Sequence, residues 1–169
     1  MVSNRNYYIL LFSYYDLEGI NINYDLSSKD FFGAMLFLVN KNYLIYLNQK
    51  FEKFEFNAIQ AFMLLKLSEN PEFSQKQLGE YLSLSKGSVA KYLTNLEEND
   101  YIKRERFENN KRKYKLILEE KSLEILPELK AISKKWELET GLENFGPDFF
   151  NDFKQLLESS EDILKKEDD

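Results

Sequence analysis

Two groups of side chains carry the chemistry open to this sequence. The first is a run of cations: Lys103, Arg104, Arg106, Lys111, Arg112, Lys113 and Lys115. The second is a set of small, cationic and amide side chains, Gly87, Ser88, Lys91, Thr94 and Asn95. At 100° per residue these fall opposite the apolar stripe Val89, Leu93 and Leu96 of the same helix. From Ser85 to Lys115 there are nine cations and five anions, a net +4 in a chain of net −6, which leaves −10 for the rest. A basic face on an acidic body suits a polyanion and orients its approach. Small, cationic and amide groups on one helix face suit base edges and phosphates. A charge run is most often only a solvated hairpin; the helix pair just before it turns the reading towards nucleic acid.

That helix pair must position both groups. Ser74-Gln75-Lys76-Gln77 fits a capping box, with the Gln reaching back to the N-cap, and Leu78 and Leu82 face inward one turn apart. Ser83-Leu84-Ser85 is the turn, and Ser85 can cap the second helix. Glu97, Glu98, Asn99 and Asp100 end that helix. Residues 101–107 read as a strand, Glu108-Asn109-Asn110-Lys111 as a turn, and residues 114–118 as the return strand. Helix, turn, helix and basic hairpin make a winged helix-turn-helix, which lays its second helix in the major groove of DNA. Lys91 and Asn95 are expected at base edges, with Lys86 and the helix start on phosphate.

Other chemistries lack their groups. The 169 residues include no Cys and no His. This removes disulfides, thiol nucleophiles, imidazole catalysis and the commonest zinc ligands. The adjacent carboxylates Glu97-Glu98 and Glu119-Glu120 diverge along the chain and do not face each other across a site. No glycine loop cradles a phosphate. The expectation is a non-enzyme with no cofactor and no metal. Residues 7–15 are apolar but short, rich in Tyr and followed by Asp16 and Glu18, which does not fit a signal peptide. No apolar run reaches the ~18 residues of a membrane span. Cytoplasmic placement is expected.

The remaining chain supplies helices around the helix-turn-helix. Residues 1–26 form an N-terminal extension whose apolar cluster, from Tyr7 to Tyr15, would pack on a partner subunit as either helix or strand. A long helix should start near Ser27 or Ser28 and run to about Phe51, with Phe32, Met35 or Leu36, Val39, Tyr43, Tyr46 and Leu47 recurring every three or four residues. After a break at residues 55–57, Asn57 can cap a helix bearing Ile59, Phe62, Met63, Leu65 and Leu67, which Asn70-Pro71 ends. Beyond the hairpin, residues 120 to about 142 read as a helix through Ile125, Leu129, Ile132 and Trp136, bent at Pro127. Residues 141–146 read as a loop, and Pro147 opens a last helix with Phe149, Phe153, Leu156, Leu157, Ile163 and Leu164 on one face. The fold class is mainly α with a small β-hairpin wing. A DNA-binding lobe at 57–118 lies between a dimerisation helix at 27–56 and dimerisation helices at 119–169. Alone, these flanking helices would expose more apolar surface than a monomer tolerates.

The helix-turn-helix and wing also resemble a known family. The run from Phe73 to Leu82, with Gln75, Leu78, Gly79 and Leu82, is similar to the first helix of the MarR family of transcription regulators. The run Ser85-Lys86-Gly87-Ser88-Val89-Ala90-Lys91-Tyr92-Leu93 resembles its recognition helix. Leu96-Glu97-Glu98-Asn99-Asp100-Tyr101-Ile102-Lys103-Arg104 resembles its passage into the wing. The likeness spans roughly residues 27–165. Asp100 stands where the family usually has Gly, and Asn110 where it has the Asp that anchors the wing arginine. The family's "LT-x-x-G" after the wing is absent. The resemblance implies a homodimeric regulator, read here as a repressor, binding two half-sites of double-stranded DNA. It implies contacts from Ser74, Gln75, Ser85, Lys86, Gly87, Ser88, Lys91, Asn95, Arg106, Lys111, Arg112 and Lys113, with Arg112 in the minor groove. It further implies a cleft for a small aromatic or lipophilic ligand, for which Tyr43, Tyr46, Phe62 and Trp136 are the candidates. The competing reading is a winged-helix module that binds protein; Ser88, Lys91 and Asn95 weigh against it, since such a face should be acidic or apolar.

Overall fold

The computed structural model describes residues 32–107 and 110–167. The extension at 1–26, and the start of the long helix at Ser27 or Ser28, lie outside the described residues. Helix α1 (Phe32–Phe51) runs into a 3-10 turn, Glu52–Phe54, and α2 (Ala58–Glu69) follows. Helices α3 (Gln75–Tyr81) and α4 (Lys86–Glu98) form the helix-turn-helix. Strands β1 (Ile102–Phe107) and β2 (Asn110–Leu118) form the antiparallel wing. Helix α5 (Glu120–Glu139), a short 3-10 turn (Leu142–Asn144) and α6 (Pro147–Glu167) complete the chain. The mainly α architecture with a hairpin wing is the one expected. The chain divides into two units, one ending at Pro127 and the other running from Glu128 to Asp169.

Local caps explain the helix starts. Asn57 caps α2, accepting from the Gln60 N–H at 3.1 Å, while the Gln60 side chain accepts from the Asn57 N–H at 3.1 Å. Ser74 and Gln77 make the same reciprocal box on α3. Ser85 caps α4 by accepting from the Ser88 N–H at 3.1 Å. These three starts are where the sequence puts them.

The ends of α3 and α4 share a second device. After α3, Ser83 takes φ 50°. Its N–H donates to the Glu80 carbonyl at 3.2 Å, and the Leu84 N–H donates to the Gly79 carbonyl at 2.8 Å. After α4, Asp100 takes φ 60°. Its N–H donates to the Glu97 carbonyl at 3.2 Å, and the Tyr101 N–H donates to the Leu96 carbonyl at 2.9 Å. Both are Schellman closures, which need a left-handed residue at the first position past the cap. The usual Gly at position 100 is thereby explained, and so is the tolerated Asp, whose short polar side chain enters that region at modest cost.

The first unit's core takes only part of the expected stripes: Phe32 and Val39 of α1 are exposed, Ile59, Phe62 and Leu65 of α2 are half-buried, and Leu64, outside the expected stripe, is buried. Leu47 and Phe51 from α1, Met63, Leu64 and Leu67 from α2, and Leu78 from α3 are buried. So are Val89, Leu93 and Leu96 from α4, and Ile102 and Leu116 from the wing. Phe56 meets Tyr101 edge to face at 5.0 Å between ring centres. Helices α3 and α4 approach closely because Gly79 has no side chain: a Cβ there would lie 3.2 Å from Val89 Cγ2.

Three boundaries differ from expectation. Strand β2 starts at Asn110 and pairs it with Phe107, so the hairpin is tighter than a 108–111 turn. Helix α5 ends at Glu139, where Gly141 takes φ 70°. The 141–146 segment contains a 3-10 turn. Pro127 lies inside α5 without ending it. The apolar face of α6 is exposed along its length in the single chain: Phe149, Phe153, Leu156, Leu157, Ile163 and Leu164 each show 40% or more of their surface.

Candidate nucleic-acid interface

Helix α4 presents Lys86, Gly87, Lys91 and Thr94 to solvent, with Ser88 half-buried, while Val89, Leu93 and Leu96 lie under it. The serine hydroxyls are largely engaged by the caps. Ser85 and Ser88 hydroxyls lie 2.9 Å apart. The Ser74 hydroxyl donates to Gln77 Oε1 at 2.8 Å. Gln75, the first residue of α3, is half-buried. The exposed cationic candidates on this face are therefore Lys86 and Lys91.

Asn95 lies at the edge of this face, not at its centre. It lies on the flank of α4, half-buried, and its Oδ1 accepts from Nε2 of the buried Gln60 on α2. Gln60 also donates to the Tyr92 carbonyl at 3.3 Å. The 100° rule puts Asn95 beside Ser88, between the core and the outer face. Grouping it with the outermost residues overlooked a partner 35 positions upstream.

The charge run also sorts differently. Arg104 Nε lies 2.8 Å from Glu97 Oε2, and its Nη2 donates to Thr94 Oγ1 at 2.7 Å. The Arg104 N–H donates to Glu97 Oε1 at 3.1 Å. Lys103 pairs with Glu119 at 3.8 Å and Lys115 with Glu72 at 3.3 Å. Arg104 and Lys115 tie the wing to the lobe, and Lys103 pairs across the base of the hairpin. Arg106 is exposed, its guanidinium 5.6 Å from the centre of the Tyr114 ring. Lys111, Arg112 and Lys113 lie on β2 towards the hairpin end; their side chains fall outside the described part of the structure.

Three residues whose roles sequence reasoning passed over, Tyr101, Lys121 and Gln60, hold this unit together. Tyr101 is 3% exposed, and its hydroxyl donates to the Phe54 carbonyl at 3.0 Å. Its own carbonyl accepts from the Glu119 N–H at 3.0 Å and from the Ser122 hydroxyl. Lys121 Nζ donates to the Asn99 carbonyl at 2.9 Å, placing a cation at the C-terminal end of α4. Gln60 had a readable signal in Asn57-x-x-Gln60, a capping box; its links to α4 had none.

Among the ligand candidates, Tyr43 and Phe62 have ring centres 6.3 Å apart. The buried Tyr46 hydroxyl finds no hydrogen-bond partner among the described residues. Trp136 is half-buried on α5 in the second unit. A groove opens elsewhere, lined by Asn48, Glu52, Phe56, Lys91, Tyr92 and Asn95 among others, and includes none of the four. Among the described residues no His, Cys, Asp and Glu cluster could hold a metal, and no helix is long and apolar enough to cross a membrane.

Comparison with known proteins agrees with this geometry. The MarR family model matches residues 56–114, from the residue before the α2 cap to β2. The HTH-type transcriptional regulator MgrA of Staphylococcus aureus is 34% identical over 90 residues, covering 53% of this chain and 61% of that protein. The chain thus spans about three-fifths of the length of this curated relative. A MarR transcriptional regulator from Methanosarcina mazei Go1 superposes with a TM-score of 0.72 at 26% identity, over 80% of this chain and 99% of the other. The DNA complex of Staphylococcus aureus MepR superposes with a TM-score of 0.69 at 17% identity, over 78% of this chain and 97% of the other, a likeness of fold. With its capped helix-turn-helix and its antiparallel wing, the chain carries a MarR-family domain at residues 56–114.

Proposed function

We propose that the protein is a transcriptional regulator that binds double-stranded DNA in a sequence-specific manner and catalyses no reaction. The observation that carries this is the exposed outer face of α4, with Lys86, Gly87 and Lys91. A protein-binding winged helix would not need a small, cationic face at that position. The relatives are named as regulators, and a MarR-type fold has been solved on DNA. In this reading Ser74, Gln75, Ser85 and Lys86 approach phosphates, Ser88, Lys91 and Asn95 face the bases, and the wing carries Arg106, Lys111, Arg112 and Lys113 to the backbone and minor groove. Selection of bound sequences from a random DNA pool tests it: one recovered motif supports the reading, and retention of no DNA at about 50 mM salt, where phosphate contacts are strong, refutes it.

The finer reading is a cytoplasmic repressor acting as a homodimer. Its support is the exposed apolar face of α6 together with Phe32, Phe37 and Val39 of α1, more unpartnered apolar surface than a monomer normally carries. In this reading the lobe at 57–118 is the DNA-binding domain, and 27–56 and 119–169 are the dimerisation arms. Sedimentation at micromolar concentration should give twice the chain's mass, and a clean monomer would remove the two-half-site arrangement. Release from DNA by a small aromatic or lipophilic ligand is supported by the unpartnered Tyr46 hydroxyl, since a buried hydroxyl ordinarily has a partner.

A further inference from the structure

Gln60 is 4% exposed, and a buried amide needs partners for its carbonyl and for both N–H bonds of its nitrogen. Its carbonyl accepts from the backbone N–H of Asn57 at 3.1 Å. A backbone N–H can only donate, so this bond alone decides which end of the amide is oxygen. Its Nε2 then meets the Tyr92 carbonyl at 3.3 Å, a group that can only accept. The two backbone partners agree, and the orientation of the Gln60 amide is fixed from both sides. One N–H bond of Nε2 remains, and it is directed at Asn95. Asn95 must answer with Oδ1, which turns its own NH₂ group away from Gln60.

We propose that Gln60 is a specificity-positioning residue: it holds Asn95 with its NH₂ group outward, so that Asn95 reads a guanine edge rather than an adenine edge. This rests on the DNA-binding reading of α4. A free Asn amide suits adenine, donating to N7 while its carbonyl accepts from the N6 amino group. With the carbonyl drawn to Gln60, the outward group offers donors, and guanine presents two acceptors side by side, N7 and O6. The arrangement is braced from behind. Asn48 Oδ1 accepts from the Ala58 N–H at 2.7 Å, tying the first turn of α2, which carries Gln60, to α1. The Asn95 amide thus receives its orientation from a residue that is itself buried.

The test uses the full chain in random-pool selection and competition binding, with wild type, Gln60→Met and Asn95→Asp. Wild type should prefer guanine at one position in each half-site. Gln60→Met, similar in volume and without polar side-chain groups, frees the Asn95 amide and should cut that preference by on the order of tenfold while leaving other positions unchanged. Asn95→Asp still accepts from Gln60 but loses its donors, so it should keep the wild-type unfolding midpoint within a few degrees and lose the guanine preference. Should Gln60→Met fail to fold, Asn95→Asp and side-chain amide exchange by NMR decide. The Gln60 NH₂ should be protected and the Asn95 NH₂ in rapid exchange. Reversed protection overturns the proposal, as does adenine at that position or a guanine preference unchanged in both variants. A fall in affinity that is equal for all sequences in Asn95→Asp assigns Asn95 to phosphate and also overturns it. A wild type that binds no DNA refutes the DNA-binding reading itself and is told apart from these outcomes.

Discussion

Arg104, on the first wing strand, clasps Glu97 of the recognition helix at 2.8 Å and reaches Thr94 of the same helix at 2.7 Å. The strand's own N–H at Arg104 also donates to Glu97. One carboxylate therefore receives both a side chain and a backbone group from the wing. This couples the angle of the hairpin to the face that α4 presents. Glu97→Ala should destabilise the fold by about 1–2 kcal/mol, less than a buried charged pair would, because both side chains are partly exposed. Urea unfolding of Glu97→Ala, Arg104→Ala and the double variant checks it; strictly additive effects would mean the pair contributes no coupling.

Asp100 adopts φ 60°, and a glycine enters that region without a Cβ penalty. Asp100→Gly should raise stability by about 0.5 kcal/mol, the relief of strain exceeding the extra freedom glycine gives the unfolded chain. Asp100→Val should lower it by more than about 1 kcal/mol, since a β-branched residue resists the left-handed region. Thermal melts of both variants test the sign, and a stabilising Val would contradict the Schellman account.

Tyr101→Phe keeps the ring against Phe56 and removes the hydroxyl that serves the Phe54 carbonyl. An acceptor left with poorer solvation should lower stability by about 1–2 kcal/mol. The expected result is a lower urea midpoint with an unchanged slope. An unchanged midpoint would show that water replaces the hydroxyl fully.

The wing can be dissected by salt. Removing one phosphate-binding cation should reduce the slope of log affinity against log salt by about 0.9. Lys111→Ala and Lys113→Ala should each do this. Arg112→Ala should do so too, and should also weaken preference for A·T-rich flanks, whose narrow groove concentrates negative potential. Arg104→Ala should leave the slope near wild type, since that guanidinium is held by Glu97. Titrations on one operator check all four, and a slope unmoved by Arg112→Ala would take the wing off the DNA.

How far the sequence was readable follows from how local each interaction is. The caps at Asn57, Ser74 and Ser85 close over three residues, so residue type and spacing suffice to place them. The stripe Val89, Leu93, Leu96 was readable because burial on one face imposes helical periodicity. The orientation of Asn95 was not, since its partner Gln60 arrives from another helix. Nor was the removal of Arg104, Lys103 and Lys115 from the outward charge. Each is claimed by a carboxylate that only the folded chain brings near, and Lys115 and Glu72 are 43 positions apart. A charge count registers cations; it does not register which ones are already spoken for.

Gly79 leaves α3 and α4 so close that a single methyl group would meet Val89 Cγ2 at 3.2 Å. Close-packed interiors transmit strain and yield little, so there is no slack along this contact for the recognition helix to slide into. The pair behaves as one machined part. A cue that switches recognition therefore has to tilt or displace the whole part against its surroundings, and the place to look for a moving joint is outside the helix-turn-helix, never within it.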